Sequence, residues 1–256
     1  MTLTKQIQDW WGNFHFDINQ CAQWEIGTLR VWVLRKEFEW RIGYENDETL
    51  NENTVEVMKS SKEIHLEEFP NIKRYVFKKT DENLQILPKL ADRSVVTKPI
   101  TPFYIAPNEE TVVFVSSPLW VSIKQNDTKT FTEEFPIERP SDTWFGPDTL
   151  KGEVCYASQT SCRLYLDDFP YLPDRAITPL TIKNVANTPL LIERINLPVK
   201  YLSLYKTENG YLWTQALNMK CEDDGTTVSI KISKHLPTYS GKASLVSTER
   251  EKAGNN

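Results

Sequence analysis

The side chains that could do chemistry are few and widely spaced. Three acidic doublets share one local form: Glu67-Glu68-Phe69-Pro70, Glu133-Glu134-Phe135-Pro136 and Asp167-Asp168-Phe169-Pro170. Carboxylates brought together from several loops could hold Ca²⁺, which takes roughly six to eight oxygen ligands, or work as an acid and base pair on a glycosidic bond. Adjacent residues of an extended segment point to opposite faces, so a doublet does not converge by itself. The plainer reading leaves the carboxylates in water, anchors the phenylalanine in the core and lets the proline stop the strand. The histidines, His15, His65 and His235, are isolated, and neither His-Glu-x-x-His nor Gly-x-Ser-x-Gly occurs. Only 9 glycines are present and none forms a glycine-rich loop after a strand, which argues against a phosphate cradle. Cys21, Cys155, Cys162 and Cys221 contain no Cys-x-x-Cys pair. Cys155 and Cys162 could meet across a hairpin, but buried thiols are the expectation. No catalytic, cofactor-binding or metal-ligating residue is assigned, and no cofactor is expected.

Aromatic residues offer a second kind of site. The chain has 8 tryptophans. Trp32 and Trp120 each lie opposite the apolar register of their strand, and if exposed they would stack on sugar rings or anchor a protein partner. Sheets covered on both faces would bury them instead. Trp32, Trp120, Glu133, Glu134, Asp167 and Asp168 form the candidate interaction surface. The stretch Ile72-Lys73-Arg74-Tyr75-Val76-Phe77-Lys78-Lys79 is basic with interleaved aromatics. RNA or anionic lipid would suit it, but an edge strand whose lysines discourage strand addition is the simpler reading. A net charge of -5 disfavours a nucleic-acid partner.

Strands must position these residues. The composition, 39% hydrophobic with 15 prolines in 256 residues, points to a packed protein of many short elements. Leu29, Val31 and Val33 alternate with Thr28, Arg30 and Trp32. Phe38, Trp40, Ile42 and Tyr44 then alternate with Glu37, Glu39 and Arg41. Period two predicts an antiparallel pair, buried on one face and wet on the other, turning at Arg35-Lys36. Leu3, Ile7, Trp10, Trp11 and Phe14, at spacings of three and four, predict a short N-terminal helix docked on the core. Residues 46–62 read as a long loop carrying a short strand near Val55 and Val57. In the last strand Val228, Ile230 and Ile232 are expected inside, and from Ser240 onward the polar tail is expected to be mobile.

A repeat organises the chain. Ile100-Thr101-Pro102-Phe103-Tyr104-Ile105 resembles Ile177-Thr178-Pro179-Leu180-Thr181-Ile182, and each is followed by a turn with asparagine, an apolar run, a proline and a Ser-containing strand. In both copies Ile-Thr-Pro is expected to begin a strand, where proline is tolerated. The expected fold is all-β: two β-sandwich-like modules, related by duplication, with a short N-terminal helix. The expected division is 1–125, a connecting segment 126–147, a second sandwich 148–236 and the tail 237–256.

Arg175–Asn184, Pro189–Ile195 and Leu202–Tyr205, together with Glu109–Val121, resemble the bacterial and archaeal "domain of unknown function 432" family. The resemblance spans most of the chain and brings no site residue with it. It implies a loose association with mechanosensitive-channel genes, and so a membrane-linked partner. Residues 1–9 lack the apolar core of a signal peptide, and no run reaches membrane-spanning length, so a cytoplasmic protein with free thiols and no membrane insertion is expected.

Three functions compete. A non-enzymatic protein-interaction or regulatory module accords best with abundant strands and absent catalytic motifs, and calls for an apolar patch or an open sheet edge. A carbohydrate- or small-ligand-binding sandwich needs Trp32 or Trp120 exposed beside a groove. A hydrolase with dispersed carboxylates needs two of them, or one and a histidine, across a cleft.

Overall fold

The computed structural model describes residues 9–50, 55–60, 71–125, 131–146, 152–160, 162–165, 172–222, 228–236 and 241–253. Among them strand follows strand, and the single helical piece is a 3-10 turn at Val199–Tyr201. The chain forms two compact units and passes between them three times. Residues 1–89 with 120–139 make the first, and residues 90–119 with 140–256 make the second.

The first unit contains β1 (Gly12–His15), β2 (Cys21–Ile26), β3 (Leu29–Arg35), β4 (Glu39–Asn46), β5 (Val55–Ser60), β6 (Ile72–Val76) and β7 (Asn83–Lys89). The second unit then takes β8 (Val95–Pro99), β9 (Phe103–Ile105) and β10 (Glu110–Pro118). The first resumes with β11 (Trp120–Gln125) and β12 (Thr132–Pro136). All later strands belong to the second unit: β13 (Ser141–Phe145), β14 (Glu153–Thr160), β15 (Arg175–Asn184), β16 (Leu190–Ile192), β17 (Ile195–Leu197), β18 (Leu204–Thr207), β19 (Leu212–Trp213), β20 (Leu217–Cys221), β21 (Val228–Ile232) and β22 (Ala243–Ser247). Segment 126–147, expected to connect, thus supplies a strand to each unit.

Two antiparallel sheets build the first unit, in the orders β5-β2-β3-β4-β6 and β1-β7-β11-β12. The expected hairpin forms with Val31 opposite Tyr44 and Val33 opposite Ile42. Alternation turns Trp24, Val31, Val33, Trp40 and Ile42 inward, where they are buried, as are Leu84, Ile86, Val121 and Ile123 of the other sheet. Each such side chain contributes roughly 1.5–3 kcal/mol by leaving water. Aromatic contacts join the sheets: Phe16 meets Trp40 edge-on at 5.2 Å, Tyr44 lies 4.2 Å from Phe135, and Tyr75 stacks on Phe131 at 4.3 Å.

The expected N-terminal helix is not present in the described part of its span. Trp10 lies in a bend and Gly12–His15 is strand β1, paired with β7. Gly12 adopts φ 138°, which no helix tolerates. The aromatics that suggested helical spacing reach the core from an extended chain. The Trp10 carbonyl accepts the Trp24 indole N–H at 3.1 Å, and Phe14 packs edge-on against Trp24 at 5.1 Å. Leu3 and Ile7 lie outside the described residues.

In the second unit β15 is central. It pairs along its length with antiparallel β10 on one side, and on the other with parallel β19 and then parallel β20, within the order β21-β20-β15-β19-β18-β22. A four-stranded sheet, β13-β14-β8-β17, and the pair β16-β9 complete the unit. Pro179 sits mid-strand, not at the strand start. Its partner Phe114 exchanges backbone bonds with Arg163, away from β15, so the nitrogen of Pro179 points to the opposite side. There β15 changes neighbour, after Ile177 on β19 and before Leu180 on β20, so the missing donor leaves no ladder bond unmade. In the other copy Pro102 immediately precedes β9.

The repeated strands pair reciprocally, β9 with β16 and β10 with β15, as strand pairs related by a two-fold would. The registers differ, Ile105 facing Leu190 while Ile182 faces Thr111, and the third strands, β11 and β18, fall in different units. Asn184 locks this region. It is fully buried, donates to the carbonyls of Ile105, Ala106 and Thr188, and accepts from the Ala186 N–H at 3.0 Å.

Two further expectations are corrected here. Val228 and Ile230 are 46% and 36% exposed, because β21 is an edge strand whose apolar side chains overhang the core-facing row of Leu217, Met219 and Cys221. The stretch after Ser240 is not a free tail: Ala243–Ser247 pairs with β18 as β22. Beyond it Glu249 accepts a 2.8 Å bond from the Ser203 hydroxyl, and Arg250 donates to the Leu90 carbonyl.

Candidate functional site

Trp32 lies on the outer face of the five-stranded sheet, as its register requires, yet it is only 3% exposed. Gly43 stands directly opposite on β4, and Ile72 packs beside the indole. A cross-strand glycine leaves room for the ring to lie flat over the sheet. The Trp32 indole N–H donates to Gln23 at 2.8 Å and Gln23 donates to Glu25 at 2.9 Å. Arg30 then bridges Glu25 and Glu45 at 2.8 Å each, with its guanidinium 5.9 Å from the Trp32 ring. Burial pulls the Arg30 pKa down, but the bonds to Glu25 and Glu45 outweigh it and hold it above its usual value. Trp32 is a packed strut within this ladder and offers no stacking platform. Trp120, half-buried on β11, pairs with Lys89 and Pro136. Trp32 therefore does not meet the exposure required of a sugar-stacking platform, and Trp120 is partly covered.

Glu133 points into the first unit, on the same side of β12 as Phe131 and Phe135, and is buried. Lys73 donates to one carboxylate oxygen at 2.6 Å, and the Tyr75 hydroxyl donates to the other. Glu133 thereby ties β6 to β12, one strand from each sheet. Glu134, half-buried, lies on the opposite face across from Ser122. The doublet diverges, as an extended segment must. Asp167 and Asp168, like Glu67 and Glu68, lie outside the described residues.

Arg30 gathers Glu25, Glu45 and, at 3.5 Å, Asp47, while Glu39 is held by two arginines and Glu133 by Lys73. His15 and His235 are both exposed, and Asp17 lies 3.7 Å from the His15 ring. No three His, Cys, Asp or Glu among the described residues gather to hold a metal. All four cysteines are free thiols. Burial pushes Cys21 up to about 11 and Cys162 up to about 12, and burial with the neighbouring Glu153 pushes Cys155 up to about 11. Such thiols are protonated and unreactive at neutral pH.

The structure brings together a group that sequence reading passed over. At one corner of the five-stranded sheet Ile18, Phe38 and Val76 are 49%, 54% and 74% exposed, beside a groove of about 440 Å³ that they line with Lys36, Glu39 and Arg74. Glu39 lies opposite Val76. One of its oxygens accepts from Arg41 and the other from Arg74, each as a double contact of 2.7–2.8 Å. Burial raises the Glu39 pKa, but the bonds from Arg74 and Arg41 outweigh it and hold the carboxyl below its usual range.

The turn bearing Phe38 is pinned from beneath. Buried Arg35 donates to the Phe16 carbonyl at 2.7 Å and to the hydroxyl and carbonyl of Thr80. The Thr80 hydroxyl in turn donates to the Lys36 carbonyl at 2.8 Å. Asn19, at φ 65°, donates its N–H to the Arg35 carbonyl and so holds the Ile18 loop against the same turn. The alternation of β4 includes Phe38, but Phe38 precedes the strand and falls beyond the facing sheet. Only tertiary placement exposes it.

Fold and site together define a class: an all-β protein of two units, with an exposed apolar corner beside a strand edge. The chain belongs to the family described as "Protein of unknown function (DUF432)", which it matches over residues 10–256. No curated protein and no solved structure matches it. No helix among the described residues is long and apolar enough to cross a membrane.

Proposed function

We propose that this chain is a non-catalytic protein-interaction module whose partner docks at the β4–β6 corner of the first unit. The observation carrying this reading is the grouping of Ile18, Phe38 and Val76, large apolar side chains left in water on a framework held rigid by Arg35, Thr80 and Glu39. Exposed apolar groups set on pre-organised backbone and rimmed by charge are how docking surfaces gain affinity without an ordering cost. Glu25, Glu45, Glu39 and Glu133 are engaged in ion pairs with arginine or lysine, which weighs against a hydrolase, and the buried Trp32 weighs against a glycan platform there.

A photo-crosslinking residue at position 38, with a second at exposed Leu245 of β22 as reference, tests the site. Crosslinking of one defined protein at 38 and not at 245, abolished by Val76→Asp, is the expected result. Equal labelling at both positions, or labelling at 38 that Val76→Asp leaves intact, sinks the proposal.

A further inference from the structure

We infer that the partner enters as an added strand: an extended acidic segment of another protein pairs with the outer edge of β6 and sets its apolar side chains into the groove of Ile18, Phe38 and Val76. This inference rests on the docking site proposed above and specifies what occupies it.

The edge can be read group by group. β6 is the terminal strand of its sheet, antiparallel to β4, with Glu39 opposite Val76 and Gly43 opposite Ile72. At one end the Phe77 N–H donates to the Phe38 carbonyl, and at the other the Tyr44 N–H donates to the Asn71 carbonyl. Bonded and non-bonded pairs alternate along an antiparallel ladder. Asn71, Lys73, Tyr75 and Phe77 therefore turn their backbone groups toward β4. Ile72, Arg74 and Val76 turn theirs outward, where no strand pairs with them among the described residues. Alternate residues of a strand lie about 6.8 Å apart, so these three offer a ladder matched to a segment of about five residues. The same parity puts the Arg74 and Val76 side chains on the face that carries the groove.

Charge selects the occupant. Residues 36–41 and 72–79 hold six cations, Lys36, Arg41, Lys73, Arg74, Lys78 and Lys79, against two carboxylates, Glu37 and Glu39, in a chain of net charge -5, although Lys73 turns to the inner face and is held there by Glu133. Glu39 is shared by two guanidiniums, and Lys78 and Lys79 are exposed just past the strand. A second copy adding through its own β6 would bring like charges together, which is how edge lysines discourage self-pairing. A strand of alternating acidic and apolar residues meets both features, its backbone on the edge and its apolar side chains in the groove.

The test uses the full chain and three acetylated, amidated peptides: Glu-Val-Glu-Leu-Glu-Val-Glu and its analogues with Gln or Lys in place of Glu. Binding is followed by fluorescence anisotropy and by residue-resolved amide exchange. The acidic peptide is expected to bind at least about tenfold more tightly than the Gln peptide, to weaken between about 50 and 300 mM salt, and to protect the amides of Ile72, Arg74 and Val76. Val76→Pro, which removes an outward donor, should weaken binding about tenfold with the thermal unfolding midpoint retained. Lys78→Glu with Lys79→Glu should do so even if the proline variant does not fold. No binding of the acidic peptide, equal binding of the three peptides, or binding that leaves those three amides unprotected overturns the inference. If Val76→Asp still abolishes crosslinking at position 38 under those outcomes, the docking site stands and strand addition alone fails. Protection of the same amides in a sedimenting dimer without peptide would name a second copy as the occupant and also overturn it.

Discussion

Replacing Glu133 by alanine should cost roughly 2–4 kcal/mol of folding stability and leave the docking corner functional in the folded fraction. The magnitude follows from its surroundings. Losing the carboxylate leaves the Tyr75 hydroxyl without its carboxylate acceptor, roughly 1–3 kcal/mol if water cannot replace it. Removing the packed γ-methylene beside Phe131 and Phe135 adds about 0.8 kcal/mol at full burial. The Lys73 ammonium is 56% exposed and contributes at most about 1 kcal/mol. Relief of the desolvated charge offsets part of the total. Glu133→Gln keeps an acceptor for Tyr75 and should cost about 1 kcal/mol. Urea unfolding of Glu133→Ala, Tyr75→Phe and the double variant measures the coupling, expected near 1 kcal/mol. A Glu133→Ala protein as stable as the parent, or more stable, would refute the clasp. Functional carboxylates are commonly held at a cost to stability, so that result would return Glu133 to the candidates for a site.

Three other outcomes follow from the same structure. Asn184→Ala should destabilise the second unit by about 3 kcal/mol or more, since three carbonyls and the Ala186 N–H lose a buried partner. Asn184→Asp should be no milder, because a carboxylate would face those three carbonyl oxygens, and thermal unfolding of both variants checks the order. Glu39 has a depressed pKa in the folded protein, so its contribution to stability is full above the unfolded carboxyl value and is lost as pH falls through the folded one. Glu39→Gln should therefore flatten the acid limb of a stability profile below about pH 5, and an unchanged limb would contradict the assignment. With raised thiol pKa values at Cys21, Cys155, Cys162 and Cys221, an aromatic disulfide reagent at pH 8 should react slowly with native protein and fully after unfolding. Rapid native labelling of any one of them would show that thiol to be exposed.

The local readings that succeeded were those set by the alternation of one strand against the next. The β3–β4 hairpin was legible because Val31, Val33, Trp40 and Ile42 must share a face whatever lies across from them. The basic run at Ile72–Lys79 was legible as an edge strand because its lysines discourage strand addition, and β6 is terminal in its sheet. The aromatic spacing of Trp10, Trp11 and Phe14 misled, because three-and-four spacing over a few residues also suits an extended chain that turns once at a glycine. Pro179 was misplaced because a strand that changes neighbours midway can hold a proline there, and that change depends on strands distant in sequence.

By itself, then, the sequence determined an all-β protein with its buried faces, its family, and the pairing of cations with aromatics along β6. Only the tertiary structure decided which outward residues are covered. Trp32 and Val76 both stand on the outer side of the same sheet, yet one is sealed by Gly43, Gln23 and Arg30 and the other stands in water. Period two assigns a side chain to a face. It carries no information about what lies across that face, and solvent exposure, on which a docking site depends, is a property of the second partner alone.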